Sequence, residues 1–159
     1  MALKEFPPIE KKSSDLISVL KNFDKFAKQL QNRYNQRLSH EFNDEHDALH
    51  AILRLFFQDV HAEDYVPENA GSKSVVDFYI PSIKTIIEVK YPRENFKDNK
   101  IGDDLLIDIG RYKARKDSDH LILFIFDKSG VLRNPYGLIG DLEKLATYEM
   151  SVKVVISPE

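Results

Sequence analysis

The feature that most constrains the fold is an unbroken apolar run, HLILFIFD, at residues 120–127. A strand with one solvated face alternates apolar and polar residues, whereas a strand buried on both faces is apolar almost throughout. The run therefore predicts a central strand of a parallel or mixed sheet. Helical patterns lie on both sides of it, so we expect one α/β domain with a mixed central β-sheet flanked by helices.

Composition excludes several classes of protein. The chain has 159 residues, 42% of them hydrophobic and 31% charged, which suits one globular domain with a core. It contains no cysteine, which rules out disulfides, thiol catalysis and cysteine zinc sites and suits a reducing, cytoplasmic compartment. We expect no signal peptide and no membrane-spanning segment. The net charge of −3 means that binding of a polyanion depends on a local basic patch.

The N-terminal segment has heptad-like spacing. We expect a flexible lead at 1–12 and a helix over 13–40, which begins at the capping sequence SSD. Residues 41–159 then form the α/β domain. The apolar stripe on this helix fits a helix that packs on its own domain. It fits equally well a helix that binds a second copy to form a homodimer, or one that binds a helical protein partner. Its apolar residues are Leu16, Leu20, Phe23, Ala27, Leu30 and Tyr34.

Further helices and strands are predicted along the rest of the chain. A helix capped by Asp44 has the stripe Leu49, Ile52, Leu53, Phe56 and Phe57, and a helix over about 102–116 has the stripe Ile101, Leu105, Ile109 and Tyr112. The stretch AEDYVPENAGSK at 62–73 reads as a loop, LIGDLEKLA at 138–146 as a short helix, and SVKVVIS at 151–157 as a last strand.

Two apolar runs, VVDFYI at 75–80 and TIIEVK at 85–90, are joined by PSIK and predict a β-hairpin that carries charge. Side chains alternate between the two faces of a strand, so Glu88 and Lys90 share one face of their strand. On the preceding strand, Val76, Phe78 and Ile80 share one face and Asp77 lies on the other. Pairing of the strands brings Asp77 next to Glu88, and two adjacent carboxylates repel unless a cation lies between them.

That arrangement fits Mg²⁺, which takes oxygen ligands, commonly one or two carboxylates with waters and a phosphate. Lys90, two residues after Glu88, is close enough to act on a water or on the scissile phosphate. Together Asp77, Glu88 and Lys90 are the equipment for hydrolysing a phosphodiester. The alternative is a solvent-exposed Glu–Lys pair that contributes little.

The pattern of Asp77 followed by EVK at 88–90 resembles the signature of the PD-(D/E)xK nuclease superfamily, and the chain is similar to the DpnII/MboI-type restriction-endonuclease-like domain. The likeness covers about residues 44–158 and leaves out the heptad helix. Its pieces, in the family's order, are DALHAILRLFFQDV (47–60), AG (70–71), DFYI (77–80), IIEVKYPR (86–93), IGDDLLIDIGRY (101–112), LFIFD (123–127), RNPYGLIGDL (133–142) and VKVVISP (152–158).

The resemblance implies a restriction-endonuclease-like core and a metal-dependent nuclease that acts on DNA, as in prokaryotic antiviral defence. It implies that Asp77, Glu88 and the backbone carbonyl of Val89 bind Mg²⁺ or Mn²⁺ and that Lys90 is the catalytic lysine. The sequence departs from the family at four positions: Val76 replaces the proline of the signature, Val75 a frequent arginine, and His46 and Asp104 frequent glutamines.

Additional residues are candidates for supporting roles. Acids of the first core helix often join such sites, which points to Glu45 or Asp47, and Asp104 is a third auxiliary candidate. Solvated helix charges explain the same residues. For contacts with DNA phosphates we single out basic residues beyond the hairpin, against the alternative of ordinary surface charge. They are Arg93, Lys97, Lys100 and Arg111.

Two other functions are compatible with parts of the sequence. One is a catalytically silent module with a nuclease fold that binds DNA or a protein partner, since fold alone does not fix function. The other is a zinc hydrolase that uses HDALH, in which His46 and His50 are one helical turn apart and His61 is the nearest third ligand. The second motif is incomplete, because Asp47 stands where zinc proteases of the HExxH type have glutamate.

Overall fold

The computed structural model describes residues 9–39, 44–66, 74–94, 98–112 and 115–159. The sequence pair AG at 70–71 and residues 1–8 of the expected lead lie outside them. The helices are α1 (Ile9–Lys21), α2 (Phe23–Tyr34), α3 (Asp44–Phe56), α4 (Asp98–Tyr112) and α5 (Pro135–Glu143), and the strands are β1 (His61–Val66), β2 (Ser74–Ile80), β3 (Thr85–Lys90), β4 (His120–Phe126) and β5 (Ser151–Ser157).

The five strands form one mixed sheet in the order β1-β2-β3-β4-β5. β1, β2 and β3 are antiparallel neighbours, with Phe78 opposite Ile87 in the β2–β3 hairpin. β3, β4 and β5 run parallel. β4 therefore pairs on both sides, and six of its seven residues are buried, as its apolar run predicts. The predicted α/β fold with a mixed central sheet is confirmed.

Each face of the sheet is covered by helices. On one face, α1, α2 and α3 pack against apolar residues of β2, β3 and β4, among them Phe78, Ile87 and Phe124. On the other face, α4 and α5 pack against Ile86, Leu123 and their neighbours. Alternate residues of β3 and β4 therefore enter different cores, which explains why both strands are apolar at successive positions. Within the described part of the chain, no helix is long and apolar enough to cross a bilayer.

The N-terminal segment differs from the predicted single helix. It forms two helices separated at Asn22, and α1 begins at Ile9 rather than at the SSD sequence. Leu16, Leu20, Phe23 and Ala27 are buried in the same core as β2–β4, whereas Leu30 is half-buried and Tyr34 is exposed. Four of the six heptad positions are therefore used by the domain itself.

Two further expectations need correction. The stretch AEDYVPENAGSK was expected to be a loop, but β1 covers its first five residues because their backbone pairs with β2. Val76 was expected to share a face with Phe78, yet it packs on the α4 side. The alternation is interrupted at Asp77, where Glu63 of β1 has a φ of 53° and breaks the pairing between the strands.

Remaining boundaries shift by a few residues. α4 covers 98–112 rather than 102–116, and its predicted stripe, Ile101, Leu105, Ile109 and Tyr112, is buried. In α3, Leu49 and Leu53 are buried with the following Phe57, but Phe56 is exposed. α5 begins at Pro135, three residues before the predicted start, since Asn134 caps it by accepting a hydrogen bond from the Gly137 N–H.

Candidate active site

Asp77 lies in β2 beside the carboxyl-terminal half of β3. Its Oδ2 accepts a hydrogen bond from the backbone N–H of Val89 at 2.7 Å. The side chain thus takes a donor of the neighbouring strand at the point where the regular β2–β3 pairing, which ends at Phe78 and Ile87, has stopped. This bond fixes the Asp77 carboxylate against the segment that carries Glu88 and Lys90.

Glu88 is buried on the α4 side of β3, with 8% of its surface exposed. Its Oε2 accepts a hydrogen bond from the hydroxyl of Tyr112 at 2.7 Å, and its Oε1 accepts one from Lys90 Nζ at 3.1 Å. The burial is tolerated because both carboxylate oxygens have donors. Glu88 is therefore held by its own strand on one side and by the last turn of α4 on the other.

Lys90 is the last residue of β3, and its ammonium group joins two acids. Nζ lies 3.1 Å from Glu88 Oε1 and 3.2 Å from Asp108 Oδ2 of α4. Burial alone would lower the pKa of Lys90, but the carboxylates of Glu88 and Asp108 outweigh it and raise the pKa above its ordinary value. The ammonium form of Lys90 is therefore strongly favoured in this arrangement.

Asp77 and Glu88 interact electrostatically across the hairpin. Burial, reinforced by repulsion from Asp77, raises the pKa of Glu88 to about 7, against the opposing effects of Lys90 and Tyr112. Burial also raises the pKa of Asp77, although the hydrogen bond from the Val89 N–H and the charges of His46 and Lys90 oppose the rise. Ionising both carboxylates is therefore unfavourable without additional positive charge, as the sequence predicted for this pair.

α3 borders the site on the opposite side from α4. His46 stacks on the ring of Phe78 at a centroid distance of 4.3 Å, and its Nε2 lies 3.9 Å from Asp77 Oδ1. Glu45 is buried, with Oε1 3.7 Å from Lys128 Nζ. Burial raises the pKa of the Tyr91 hydroxyl, and the nearby charges of Glu45 and Asp77 add to the rise.

The other predicted residues are spread around this cluster. Asp47 is exposed on α3, whereas Asp104 is half-buried one turn before Asp108 on α4. Arg111 is exposed, with its guanidinium 3.7 Å from Asp108, and so borders the site. Arg93 and Lys100 are exposed beyond the end of β3 and in the first turn of α4. Lys97 lies outside the described residues.

Sequence reasoning missed three residues that touch the triad: His46, Asp108 and Tyr112. From the sequence, His46 is a departure from the family pattern and a possible zinc ligand, and Asp108 is given no role at the site. Tyr112 was assigned to the apolar stripe, which is correct for its buried ring but omits its hydroxyl. The spacing of Asp108 and Tyr112, one helical turn apart, is the signal that could have paired them.

The residues present fit a divalent cation by donor type. Within the described residues, no group of three or more His, Asp or Glu side chains is arranged to hold a metal ion. Asp77 and Glu88 nevertheless provide two mutually repelling carboxylates, and Mg²⁺ commonly takes one or two carboxylates together with waters and substrate phosphate. A zinc site at HDALH gains no support, because His61 pairs with Asp59 rather than joining His46 and His50.

Fold and site together define the class: a restriction-endonuclease-like core with an acid–acid–lysine cluster on its central hairpin. The family model described as REase_DpnII-MboI matches residues 14–159. The chain therefore belongs to the DpnII-MboI restriction endonuclease family. The match begins at residue 14 and so includes α1 from that point and all of α2, which the likeness seen in the sequence had left out. No match was found among curated proteins or among solved structures.

Membership of a restriction endonuclease family supports a DNA endonuclease and, with it, DNA binding.

Proposed function

We propose that this protein is a metal-dependent DNA endonuclease that hydrolyses phosphodiester bonds with Asp77, Glu88 and Lys90. The observation that carries the proposal is the meeting of the two carboxylates across the β2–β3 hairpin. Each is buried enough to have a raised pKa, and Asp77 contributes directly to the raised pKa of Glu88. Buried carboxylates with perturbed pKa values beside a lysine are typical of a catalytic site.

Asp77 and Glu88 would hold the cation, with the backbone carbonyl of Val89 as a third ligand, and Mg²⁺ or Mn²⁺ suits these oxygen donors. When bound, such a cation supplies a Lewis acid for a phosphoryl oxygen and lowers the pKa of water. Val89 fits the role because its N–H already binds Asp77 and fixes that stretch of backbone beside the carboxylate.

Lys90 contributes a positive charge where the phosphate develops negative charge. Its ammonium group is held by Glu88 and Asp108, so it is placed before substrate arrives and needs little reorganisation. In this protonated form it donates hydrogen bonds to a phosphate oxygen or orients the attacking water, rather than removing a proton from it.

The wider proposal is that the enzyme cuts foreign DNA in the prokaryotic cytoplasm and that two copies act together on a duplex. Defence is a role of restriction endonucleases, and the absence of cysteine suits the cytoplasm. Glu45, Asp47 and Asp104 remain candidates for auxiliary roles at the site. Arg93, Lys97, Lys100 and Arg111 remain candidates for contacts with DNA phosphates.

The test is cleavage of supercoiled plasmid with Mg²⁺, with Mn²⁺ and with EDTA. We expect wild type to cut with either metal and Lys90→Ala to lose at least about two orders of magnitude in rate, because a transition-state charge contact is removed. The matched control is Lys144→Ala, which removes an exposed lysine paired only with Asp141 among the described residues. Circular dichroism and thermal unfolding establish that both variants are folded.

Three results would count against the proposal. Equal activity of Lys90→Ala and wild type would remove the lysine from the mechanism. Unchanged cleavage in EDTA would remove the metal. DNA binding by a folded wild type that never cleaves would favour the catalytically silent module.

A further inference from the structure

The segment from Lys25 to Arg37, here called the basic strip, is unusual for a chain of net charge −3. It contains four cations and no acid. It also contains five amide side chains, which can donate hydrogen bonds to phosphate oxygens. The cations are Lys25, Lys28, Arg33 and Arg37, and the amides are Gln29, Gln31, Asn32, Asn35 and Gln36.

Both ends of the basic strip are fixed at the carboxyl end of the parallel strands. Next to its start, the backbone N–H of Asp24 donates a hydrogen bond to the Oγ of Ser157, the last residue of β5. Beyond its other end, Lys128, two residues after β4, donates a hydrogen bond to the carbonyl of Leu38 at 3.0 Å. Phe23 and Ala27 anchor the inner face of α2 in the core. The strip therefore crosses the end of the sheet where β3 places Glu88 and Lys90.

The strip continues towards the site through α3. The Ser39 N–H donates a hydrogen bond to Asp44 Oδ2 at 2.7 Å, and Asp44 begins α3. His46, two residues further on, lies 3.9 Å from the carboxylate of Asp77. Given a chain reach of about 3.5 Å per residue, Arg37 is within roughly one turn of a DNA helix from Asp77. A duplex bound at the site can therefore extend over the strip.

Two of the four cations are already engaged within the protein. Lys28 forms an ion pair with Asp24 at 2.7 Å, and Lys25 donates a hydrogen bond to Asn22. Arg33 and Arg37 are exposed, and neither forms an ion pair with an acid among the described residues. Asn35 ends α2 in the left-handed conformation, so Arg33 lies in the last turn of the helix and Arg37 lies in the segment that follows it.

We infer that Arg33 and Arg37 bind phosphates of the DNA substrate and that the basic strip is a DNA-backbone contact surface beside the active site. Arginine suits this role because its planar guanidinium donates two parallel hydrogen bonds to phosphate. The inference rests on the proposed nuclease function and extends it, since it assigns substrate contacts to α2, outside the hairpin and α4.

The test is binding of a fluorescein-labelled duplex of about 30 base pairs, three helical turns, measured by fluorescence anisotropy in EDTA over a series of salt concentrations. The variant Arg33→Gln/Arg37→Gln is compared with wild type and with Lys116→Gln/Lys144→Gln. The control removes the same charge from two exposed lysines outside the basic strip, one shortly before β4 and the other at the carboxyl end of α5. All four substituted positions are exposed, and thermal unfolding checks that both variants fold.

We expect the arginine variant to bind on the order of tenfold or more weakly than wild type at moderate salt. Each phosphate contact that is lost should flatten the slope of log affinity against log salt by about 0.9. The control should keep the wild-type slope. An arginine variant with the affinity and slope of the control would overturn the inference while the nuclease function stands. A wild type that binds no DNA at all would count against the nuclease function itself.

A protein partner or a second copy is the competing occupant of this surface. In that case the arginine substitutions would change the sedimentation of the protein without DNA and leave the salt dependence of DNA binding as in the control, which would also overturn the inference.

Discussion

At the scale of single residues, the site is a largely buried cluster in which, among the described residues, three acids, Asp77, Glu88 and Asp108, outnumber the one buried cation, Lys90. Glu88 and Asp108 both contact the ammonium group of Lys90, and Asp77 interacts electrostatically with Glu88 and Lys90. Burial removes much of the water that would otherwise stabilise the ionised acids. The raised pKa of Glu88 is the measurable consequence. It means that, between the ordinary pKa of 4.5 and the raised pKa of about 7, the folded protein retains a proton on Glu88 that the unfolded chain has lost.

This leads to a prediction for stability against pH. Glu88 has an ordinary pKa of 4.5 and a folded pKa of about 7. Between these values the folded state binds more protons than the unfolded state, so stability falls as pH rises. We expect the free energy of unfolding of wild type in EDTA to fall relative to that of Glu88→Gln from about pH 5 to about pH 8. Urea denaturation at a series of pH values measures this difference.

Addition of a divalent cation supplies the control. A cation that binds the ionised carboxylates stabilises only the folded state, so Mn²⁺ should recover stability in wild type, more at high pH than at low pH. Glu88→Gln should respond less. Parallel stability curves of the two proteins in EDTA would show that Glu88 titrates normally and that the electrostatic description of the site is wrong.

Tyr112 supports Glu88 through its hydroxyl, and the substitution Tyr112→Phe isolates that one bond. The ring stays in the core beside α4, but a donor to a buried carboxylate is lost. Such a loss typically destabilises by about 1–3 kcal/mol, and it should raise the pKa of Glu88 further. Chemical denaturation measures the change, with Tyr148→Phe, a fully exposed tyrosine, as the matched substitution. Equal stability of both variants would mean that the hydroxyl of Tyr112 makes no useful bond to Glu88.

At the scale of elements, the sequence predicts best where burial dictates the pattern. The hairpin, β4 and the stripe of α4 are apolar at the positions that enter the two cores, so their type could be inferred. β1 could not, because it is an edge strand whose first residues, HAED, are mostly polar and which exists through backbone pairing with β2. Likewise, the proximity of Asp77 to Glu88 could be inferred from the geometry of a hairpin. The contact of Asp108 with Lys90 could not, because it depends on how α4 packs on the sheet.

The two N-terminal helices carry a prediction of their own. Phe23 contacts the rings of Phe124 and Phe126 edge to face, while Tyr34, in the same heptad pattern, is 61% exposed. Phe23→Ala should therefore destabilise the protein by about 3–5 kcal/mol through the cavity it leaves. Tyr34→Ala should change stability by less than about 0.5 kcal/mol. Urea denaturation at two protein concentrations makes the comparison.

A heptad stripe that formed a dimer would behave differently. Both substitutions would then weaken association, and the loss of stability would depend on protein concentration. Concentration-dependent unfolding of Tyr34→Ala would contradict the assignment of α1 and α2 to the core of their own domain.

At the scale of the whole molecule, the candidate site lies at one end of the sheet. The parallel strands β3, β4 and β5 have their carboxyl ends at the same end of the sheet, where Lys90 lies. α2 and α3 on one face and α4 on the other border that end. Ligands of open α/β sheets generally bind outside the carboxyl ends of the strands. The described residues of each chain contain one acid–acid–lysine cluster. If this cluster is the proposed active site, one copy would cut one strand at a time.

Cleavage of both strands therefore predicts cooperation between two copies, and a mixing experiment tests it. Wild type is mixed with a growing excess of Lys90→Ala and incubated with supercoiled plasmid. If two copies act together, mixed pairs carry one active site, so the product should change from linear to nicked plasmid as the excess grows. If single copies act independently, the inactive variant only competes for DNA. The rate then falls while the ratio of linear to nicked product at equal substrate consumption stays unchanged, which would contradict the proposed homodimer.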